Sequence, residues 1–282
     1  MILDRTRVRA SFARAASSYD QAAVLQRTVA DQLLDRFQWV VIDPCRVLDV
    51  GTGTGYSLPQ LRRRFRKAEV IGVDSAPAML AVARARRGLW RKSPLVAADG
   101  ERLPLAGAGI DVIYSNLALQ WMDPVVAFQE FRRVLRPGGL FAFSTFGPDT
   151  LMELREAWAA VDDRPHVHPF VDMHDLGDIL VRTGFVDPVL DVDRYTLTYE
   201  KAADALRDLK RIGAHNAVTG RFSGLTGKTS FQRFVDAYET RRRDGRLPLT
   251  YEVVYGQAWC GTASNDNIVR VSPSAIGGRR RR

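Results

Sequence analysis

Between residues 46 and 146, short apolar runs alternate with segments whose apolar residues recur at helical spacing. A short apolar run bounded by turn residues is typical of a buried strand, and helical spacing is typical of an amphipathic helix. The pattern predicts strands near 46–50, 69–73, 95–98, 110–115 and 139–145, and helices near 56–66, 76–87 and 124–135. Alternation of this kind predicts an α/β fold, with a parallel sheet and helices on both of its faces.

Outside this region the pattern is mainly helical. Residues 5–38 show helical spacing on both sides of a break at Ser17–Asp20. Beyond residue 147 the sequence predicts helices at 150–161, 173–183, 201–217 and 230–243, and strands at 189–198 and 250–259. We therefore divide the chain into a helical arm (1–45), an α/β domain (46–261) with a helical insertion at about 199–247, and a tail (262–282). The tail is rich in Ser, Asn and Gly and ends in four arginines, so we predict that it is disordered.

The first strand of the α/β domain ends in three glycines at alternate positions, Gly51, Gly53 and Gly55. Glycines at this point allow a tight turn whose backbone approaches a ligand. Asp74 ends the next strand 23 positions after Gly51, close to the spacing of about 20 expected for an acid that binds a ribose. The dinucleotide pattern G-x-G-x-x-G is not met, because Tyr56 stands where its third glycine is required.

Polar residues follow other strands of the predicted sheet. Asp49, Asp74, Asp99 and Asn116 all fall at carboxyl ends of strands, where open α/β sheets bind ligands. The pattern D-x-G-x-G-x-G resembles the first motif of class I S-adenosylmethionine-dependent methyltransferases, a Rossmann-like family with a mostly parallel seven-stranded sheet. The resemblance implies S-adenosylmethionine as cofactor, with its amino-acid end at the glycine turn, its ribose at Asp74 and its adenine near Asp99. The predicted cofactor-binding residues are Asp49, Gly51, Gly53, Gly55, Asp74, Asp99, Gly100, Asn116 and Tyr19.

Several of these positions also have a purely structural explanation. Asp99-Gly100 is a common turn pair, and Tyr19 at helical spacing from Phe12 is explained by packing alone. Trp121, in the segment after Asn116, is explained equally well as a core residue and as a residue that lines the cofactor site.

Composition narrows the class of protein. The chain has 282 residues, 46% of them hydrophobic, which is enough for one large core with an inserted subdomain. It contains no apolar run approaching the roughly 20 residues of a membrane span, and its first residues lack the apolar stretch of a secretory signal. Cys45, Cys260 and the four histidines show no metal-binding spacing. We expect a cytoplasmic enzyme without a metal and without a membrane association.

The formal net charge is +9, with basic clusters at 62–67, 84–92, 207–211 and 241–246. A basic protein favours an acidic partner, although solvated helix faces explain such clusters equally well. Aromatic residues are not interleaved with the basic ones, and the sequence contains no DNA-binding motif. Nucleic acid is therefore not the expected partner.

Six stretches of the chain resemble one family more closely, the malonyl-acyl-carrier-protein O-methyltransferases of biotin synthesis. They are S-F-A-R-A-A-S-S-Y-D (11–20), V-L-D-V-G-T-G-T-G (47–55), S-N-L-A-L-Q-W (115–121), A-W-A-A-V-D-D-R-P-H (157–166), D-L-K-R-I-G-A-H (208–215) and L-P-L-T-Y (247–251). The resemblance implies methylation of the free carboxylate of a malonyl group on an acyl carrier protein. It extends from about residue 5 to 260, and we expect a monomer.

The chemistry limits the residues that such a reaction needs. A malonyl carboxylate is already ionised near pH 7, so no general base, triad or metal is required. A cation is expected to position the carboxylate, and the candidates are Arg155, Arg164, Lys210 and Arg211. Because acyl carrier proteins are acidic, Lys210 and Arg211, together with Arg241–Arg243, are the predicted docking residues.

Two other functions fit parts of the sequence. G-P-D-T-L-M-E-L-R (147–155) and H-V-H-P-F (166–170) resemble a fold relative that hydroxylates an arginine in a respiratory-complex subunit. This resemblance implies a cofactor-binding assembly factor without methyl transfer. The other alternative is an O-methyltransferase of a small free acid or quinone precursor, which would not depend on a carrier protein.

Overall fold

The computed structural model describes residues 4–86, 93–213 and 227–261. Its helices are α1 (Arg5–Ala15), α2 (Tyr19–Ala22), α3 (Val24–Arg36), α4 (Leu58–Arg64), α5 (Pro77–Arg86), α6 (Pro124–Val134), α7 (Met152–Ala159), α8 (Met173–Arg182), α9 (Ala202–Arg211) and α10 (Lys228–Glu239). Its strands are β1 (Arg46–Val50), β2 (Glu69–Asp74), β3 (Leu95–Ala97), β4 (Ile110–Asn116), β5 (Leu135–Phe146), β6 (Phe185–Tyr199) and β7 (Leu247–Cys260). Short 3₁₀ turns lie at Phe37–Trp39 and Leu119–Trp121.

The described strands form one seven-stranded sheet in the order β3-β2-β1-β4-β5-β7-β6. The pairs among β1 to β5 are parallel, whereas β7 is antiparallel to both β5 and β6. The strand order reverses between β1 and β4, and a crevice opens there beyond the carboxyl ends of the strands. The predicted Rossmann-like methyltransferase architecture, with a mostly parallel sheet of seven strands, is confirmed.

Helices cover both faces of the sheet. In β1, Val47 belongs to an apolar cluster that includes residues of α3 and α4 on one face, and Leu48 belongs to a cluster that includes residues of α6 and α8 on the other. Both side chains are fully buried, because a central parallel strand has no face in contact with water. Because both faces of β1 are covered, Val47, Leu48 and Val50 are all apolar, and Asp49 is the one buried polar residue of this strand.

The antiparallel strands are longer than predicted. The sequence predicts strands at 189–198 and 250–259, whereas β6 and β7 pair from Phe185 with Cys260 to Tyr199 with Leu247. Likewise β5 begins at Leu135, directly after α6, whereas the sequence predicts this strand only from about residue 139. Pairing with neighbouring strands extends these elements, and local sequence does not report such pairing.

The helical arm is divided differently from the prediction. The sequence predicts a break at Ser17–Asp20, but Tyr19 and Asp20 begin the short helix α2 and the chain turns again at Ala23. Phe12 and Ala16 pack against Met79 of α5, so the arm lies across the crevice side of the sheet. The predicted helix at 201–217 is observed only as α9, and 214–217 lie outside the described residues. The predicted disorder of 262–282 also falls outside them.

Among the described residues, none of the helices combines the length and the apolar character required to cross a lipid bilayer.

Candidate active site

The glycine turn after β1 is built as the sequence predicts. Gly51, Gly53 and Gly55 all have positive φ angles, of 77°, 55° and 78°. The N–H groups of Gly51 and Thr52 both donate to the carbonyl oxygen of Val73, at 2.8 and 2.9 Å, which ties the turn to β2. A Cβ atom added at Gly51 would lie 2.3 Å from the Cβ of Ala118. The turn therefore requires glycine there, both for its backbone conformation and for its close approach to the segment after β4.

Asp74 ends β2 beside this turn. Its carboxylate accepts hydrogen bonds from the N–H groups of Gly53, at 2.9 Å, and Ala76, at 2.8 Å. Burial raises the pKa of Asp74, and the two backbone donors partly oppose this shift. Two amide donors leave lone pairs of the carboxylate free, so Asp74 can also accept hydrogen bonds from vicinal hydroxyl groups.

Asp49 lies on the other side of the turn and is almost fully buried. The hydroxyl of Thr52 donates to its carboxylate at 2.6 Å. Burial raises the pKa of Asp49 to about 7, and the nearby charge of Asp74 adds to the shift. A buried carboxylate of this kind is stabilised by a ligand that carries a positive charge.

A cavity of about 340 Å³ opens where these elements meet. Seven of the nine predicted cofactor-binding residues line it, namely Tyr19, Gly51, Gly53, Asp74, Asp99, Gly100 and Asn116. Asp49 lines a smaller recess of about 50 Å³ next to it, together with Tyr19, Gly51 and Asn116. Gly55 lines neither, because it faces Ala83 and Leu58 at the packing contact between the turn and its helices. Its place is structural.

Asn116 is partly occupied by bonds within the protein. Its amide nitrogen donates to the carbonyl oxygen of Gln26 at 3.0 Å, and its amide oxygen accepts a hydrogen bond from Ser144 at 2.8 Å. These bonds connect α3, β4 and β5 below the cavity. Asn116 therefore holds the floor of the site together, and its role toward a cofactor stays a prediction.

The arm contributes a wall of the cavity through residues beyond the predicted Tyr19. Arg5, Val8, Arg9 and Phe12, all on α1, line the cavity. The Phe12 ring meets Trp121 edge to face, with 5.4 Å between the ring centroids. The helical spacing of the arm predicts that one face is apolar, but only its packing against α5 shows that this face borders the cavity.

Arg5 fixes the start of the arm. Its guanidinium forms ion pairs with Glu101 and with Asp99, the latter at 3.4 Å. The side chain of Glu101 is only 3% exposed, and its carboxylate also accepts the N–H of Asp123 at 2.9 Å. A second anchor joins Asp20 to Arg86 and to the hydroxyl of Thr54.

The predicted substrate-binding cations lie elsewhere. Arg155 donates to the carbonyl oxygen of Thr150 at 2.8 Å, and Arg164 follows α7 near Asp162. Lys210 and Arg211 end α9, which packs against α2. All four belong to the described part of the chain, and none lines the cavity or its neighbours. Their role toward a carboxylate stays a prediction.

The predicted docking residues fall into two groups. Gly213, just beyond Lys210 and Arg211, faces Phe12 and Ala15 of the arm. In the second group, Arg241 pairs with Glu156 at 2.8 Å, and Arg242, beyond the end of α10, pairs with Glu239 at 2.6 Å.

The chain is similar to known proteins over almost its whole length. A family profile described as a methyltransferase domain matches residues 48–143. The chain is 52% identical over 265 residues to the malonyl-[acyl-carrier protein] O-methyltransferase of Laribacter hongkongensis, and the match covers 91% of this chain and 89% of that protein. It is 49% identical over 288 residues to the protein of the same name from Halorhodospira halophila, with coverage of 99% and 97%.

Solved structures agree on the architecture. A SAM-dependent methyltransferase from Thermotoga maritima superposes with a TM-score of 0.52 at 16% identity, covering 90% of this chain and 99% of that one. At this level of identity the likeness concerns the fold alone.

Proposed function

The chain belongs to the malonyl-[acyl-carrier protein] O-methyltransferase family, and from that premise we propose that it methylates the free carboxylate of a malonyl group borne on an acyl carrier protein. The product would be the malonyl methyl ester, which starts pimeloyl chain synthesis for biotin. The observation that carries this proposal is the identity of about half of all residues with proteins of that name, over nearly the whole of both chains.

S-adenosylmethionine is the methyl donor of this enzyme. The residues at the crevice fit it: Gly51 lets the backbone approach closely, Asp74 has free lone pairs for ribose hydroxyls, and the buried carboxyl of Asp49 suits a cationic group. When bound, it supplies a methyl group on a positively charged sulfur; a carboxylate oxygen forms the new bond to carbon, and the electron pair of the broken bond leaves with the sulfur.

The protein has to align and desolvate the nucleophile rather than remove a proton from it. A carboxylate with an ordinary pKa near 4 is ionised at neutral pH. Holding it in line and excluding its water shell are the contributions expected from the site. The arm, which covers the crevice through Phe12 and Tyr19, supports both contributions.

For the carrier protein we propose docking beside the arm, at Lys210 and Arg211. The end of α9 lies against α1 near the mouth of the cavity, so a tethered acyl group can enter from there. Arg241 and Arg242 are weaker candidates, because they pair with carboxylates at 2.8 and 2.6 Å, closer than the 3.6 Å between Arg211 and Asp208.

The deciding experiment supplies the purified enzyme with malonyl-acyl carrier protein and methyl-labelled S-adenosylmethionine. We expect label in a base-labile methyl ester on the carrier-bound acyl group, and none with acetyl-acyl carrier protein, which lacks the carboxylate. Label appearing instead on a free small acid, with no dependence on the carrier, would falsify the proposal.

A further inference from the structure

A second cavity, of about 530 Å³, adjoins the cofactor cavity. Arg5, Trp121 and Met122 line both cavities, so they form the boundary between them. From this boundary the second cavity reaches over the carboxyl end of β5 to the segment that precedes α8. Its size lies within the range of pockets that bind small organic ligands. With the first cavity assigned to the cofactor, the second is the adjoining space in which a methyl acceptor can lie.

The ring of Trp121 is held from both sides of this boundary. Phe12, which lines the cofactor cavity, meets it edge to face, with 5.4 Å between the ring centroids and 84° between the planes. His168, which lines the second cavity, stacks on it at 6.1 Å and 16°. The ring of His168 is itself held by a hydrogen bond to the backbone of Gln120. These contacts restrict the orientation of the indole, so its N–H group has a defined direction.

Trp121 carries an unused hydrogen-bond donor at the boundary. Met122 has no side-chain donor, and the guanidinium of Arg5 pairs with two carboxylates. The indole N–H of Trp121 has no acceptor among the described residues, and the half-buried ring leaves it accessible to water. An indole N–H can only donate, and buried tryptophans usually place it against an acceptor. An unused donor between two cavities therefore points to a ligand oxygen.

Aromatic rings continue from Trp121 along the wall of the second cavity. Phe170 meets His168 edge to face, with 5.3 Å between the ring centroids, and Phe146 meets Phe170 at 5.6 Å. A wall of rings excludes water from a ligand beside it, which is what a desolvated nucleophile requires. The surroundings of the donor therefore suit an acceptor that has to lose its water shell.

A neutral donor suits a carboxylate that acts as a nucleophile. One carboxylate oxygen accepts the N–H, which fixes the direction of the group and leaves the other oxygen free for the new bond to carbon. A second cation is not needed, because the methyl donor itself carries a positive charge. An indole also places no full positive charge beside the oxygens, so they keep more electron density for attack than in a tight ion pair with arginine.

We propose that the second cavity binds the malonyl group and that the indole N–H of Trp121 holds its carboxylate at the boundary with the cofactor cavity. This inference rests on the proposed function and names the substrate-binding residue within it. A neutral donor in this role agrees with the positions of the four cations predicted for it, none of which lines either cavity.

The test removes the donor and keeps an aromatic ring. Trp121→Phe lacks the indole N–H, and Trp39→Phe is the matched control, because Trp39 is 82% exposed and lines neither cavity. We expect Trp121→Phe to lower kcat/KM for malonyl-acyl carrier protein by about 10- to 100-fold, the loss typical of one hydrogen bond to a charged group. Trp39→Phe should leave kcat/KM unchanged. Cofactor affinity, measured by calorimetry, should stay nearly constant in both variants, because the phenyl ring keeps the contacts with Phe12 and His168.

A second measurement observes the donor in the unmodified enzyme. The chain contains five tryptophans, so a sample labelled with ¹⁵N-tryptophan has five indole N–H resonances. Trp→Phe variants at the other four positions assign their resonances, which identifies that of Trp121 even if Trp121→Phe does not fold. In the presence of S-adenosylhomocysteine, which has no methyl group to transfer, we expect the Trp121 resonance to move downfield with malonyl-acyl carrier protein and to stay in place with acetyl-acyl carrier protein.

Three results would each overturn the inference. They are an unshifted Trp121 resonance, an unchanged kcat/KM in Trp121→Phe, and a loss of cofactor affinity in that variant large enough to account for its loss of activity. If the unmodified enzyme methylates malonyl-acyl carrier protein in those cases, only the role of Trp121 fails and the proposed function stands.

Discussion

Two carboxylates flank the glycine turn, and their surroundings give them different properties. Asp74 accepts two backbone N–H groups, whereas Asp49 is bonded by a single hydroxyl and is more enclosed. Burial raises both pKa values, that of Asp49 to about 7, and the two backbone donors oppose the shift of Asp74. The same residue type therefore serves as a fixed acceptor in one place and as a group sensitive to ligand charge in the other.

The role of Asp74 is tested by Asp74→Ala. We expect cofactor affinity to fall by about 1.5–3 kcal/mol, the loss typical for a hydrogen bond to a charged acceptor. Calorimetry with S-adenosylhomocysteine measures this directly. Glu69→Ala, at the exposed opposite end of β2, serves as the control and should bind normally. Unchanged affinity in Asp74→Ala would exclude a direct contact with the ribose.

Asp49 makes stability depend on pH. Its pKa in the folded protein, about 7, lies above the ordinary value of 3.8. Between these values the folded state binds more protons than the unfolded state, so stability falls as pH rises from 4 to 7. Asn cannot titrate, so Asp49→Asn removes this loss. We expect its effect on the free energy of unfolding of the ligand-free protein to be more favourable at pH 8 than at pH 5, with a difference of roughly 2–3 kcal/mol between the two pH values.

Urea denaturation at the two pH values measures this difference. The same substitution should weaken cofactor binding at pH 8, because a neutral amide no longer attracts a cationic ligand. A gain in stability that is equal at pH 5 and pH 8 would mean that Asp49 does not titrate in this range.

At the scale of elements, the arm is what closes the crevice. Helix α1 packs on α5, and ion pairs fasten the arm at the start of α1 and at α2, Arg5 to Glu101 and Asp20 to Arg86. Exposed ion pairs contribute little on their own, but Glu101 is buried and has a second bond to the N–H of Asp123. The anchor at Arg5 therefore fixes the arm more firmly than a surface pair would.

Loosening this anchor should speed cofactor release. We expect Arg5→Ala to raise the dissociation rate of S-adenosylhomocysteine by about three- to tenfold, equivalent to about 0.6–1.4 kcal/mol, the range of one ordinary hydrogen bond. Arg7→Ala is the matched control, since Arg7 is equally exposed on the same helix and pairs with Asp4 rather than with the cavity wall. Stopped-flow displacement measures both rates. Similar rates for the two variants would show that the Arg5 ion pairs do not hold the arm in place.

At the scale of the whole molecule, the carboxyl ends of the parallel strands form the edge of the sheet that carries the site. The amino ends form the opposite edge, far from the site. The cofactor cavity lies at the carboxyl edge under the arm, where Phe12 of its wall meets Gly213 just beyond α9. Basic residues of the described part occur at both edges, such as Lys67 at the amino edge and Lys210 beside the arm, so charge alone does not select a docking surface. Distance from the cofactor cavity selects the docking surface, because the acyl group on the carrier protein must reach the cofactor.

The dependence of KM on salt should therefore distinguish docking of the carrier protein from the methyl transfer itself. Raising ionic strength screens attraction between a basic surface and an acidic carrier protein. We expect KM for malonyl-acyl carrier protein to rise several-fold between about 50 and 500 mM salt, on the order expected for electrostatic steering. KM for a short malonyl thioester, which has no acidic protein attached, should stay nearly constant.

The docking residues are compared under the same conditions. Lys210→Ala should reduce the salt dependence, whereas Lys67→Ala should not, because Lys67 precedes β2 at the amino edge and pairs with Asp43. Equal effects of the two substitutions would count against docking beside the arm.

The sequence by itself determined the features that are local in the chain. The central strands, the glycine turn and the acid that ends the second strand are each specified within a few residues, by burial on both faces of β1 and by the backbone freedom of Gly51. Because parallel strands place their carboxyl ends at one edge, the sequence also predicted that these residues come together.

Only the tertiary structure decided what closes the site. The pairing of Arg5 with Glu101, the internal bonds of Asn116 and the ring contacts of Trp121, His168 and Phe170 join residues that are far apart in the chain. Periodicity reports which residues face a core, but not which distant element supplies its other side. The length of β6 and β7 and the absence of the predicted cations from both cavities have the same origin, because each depends on contacts that form only when the sheet is assembled.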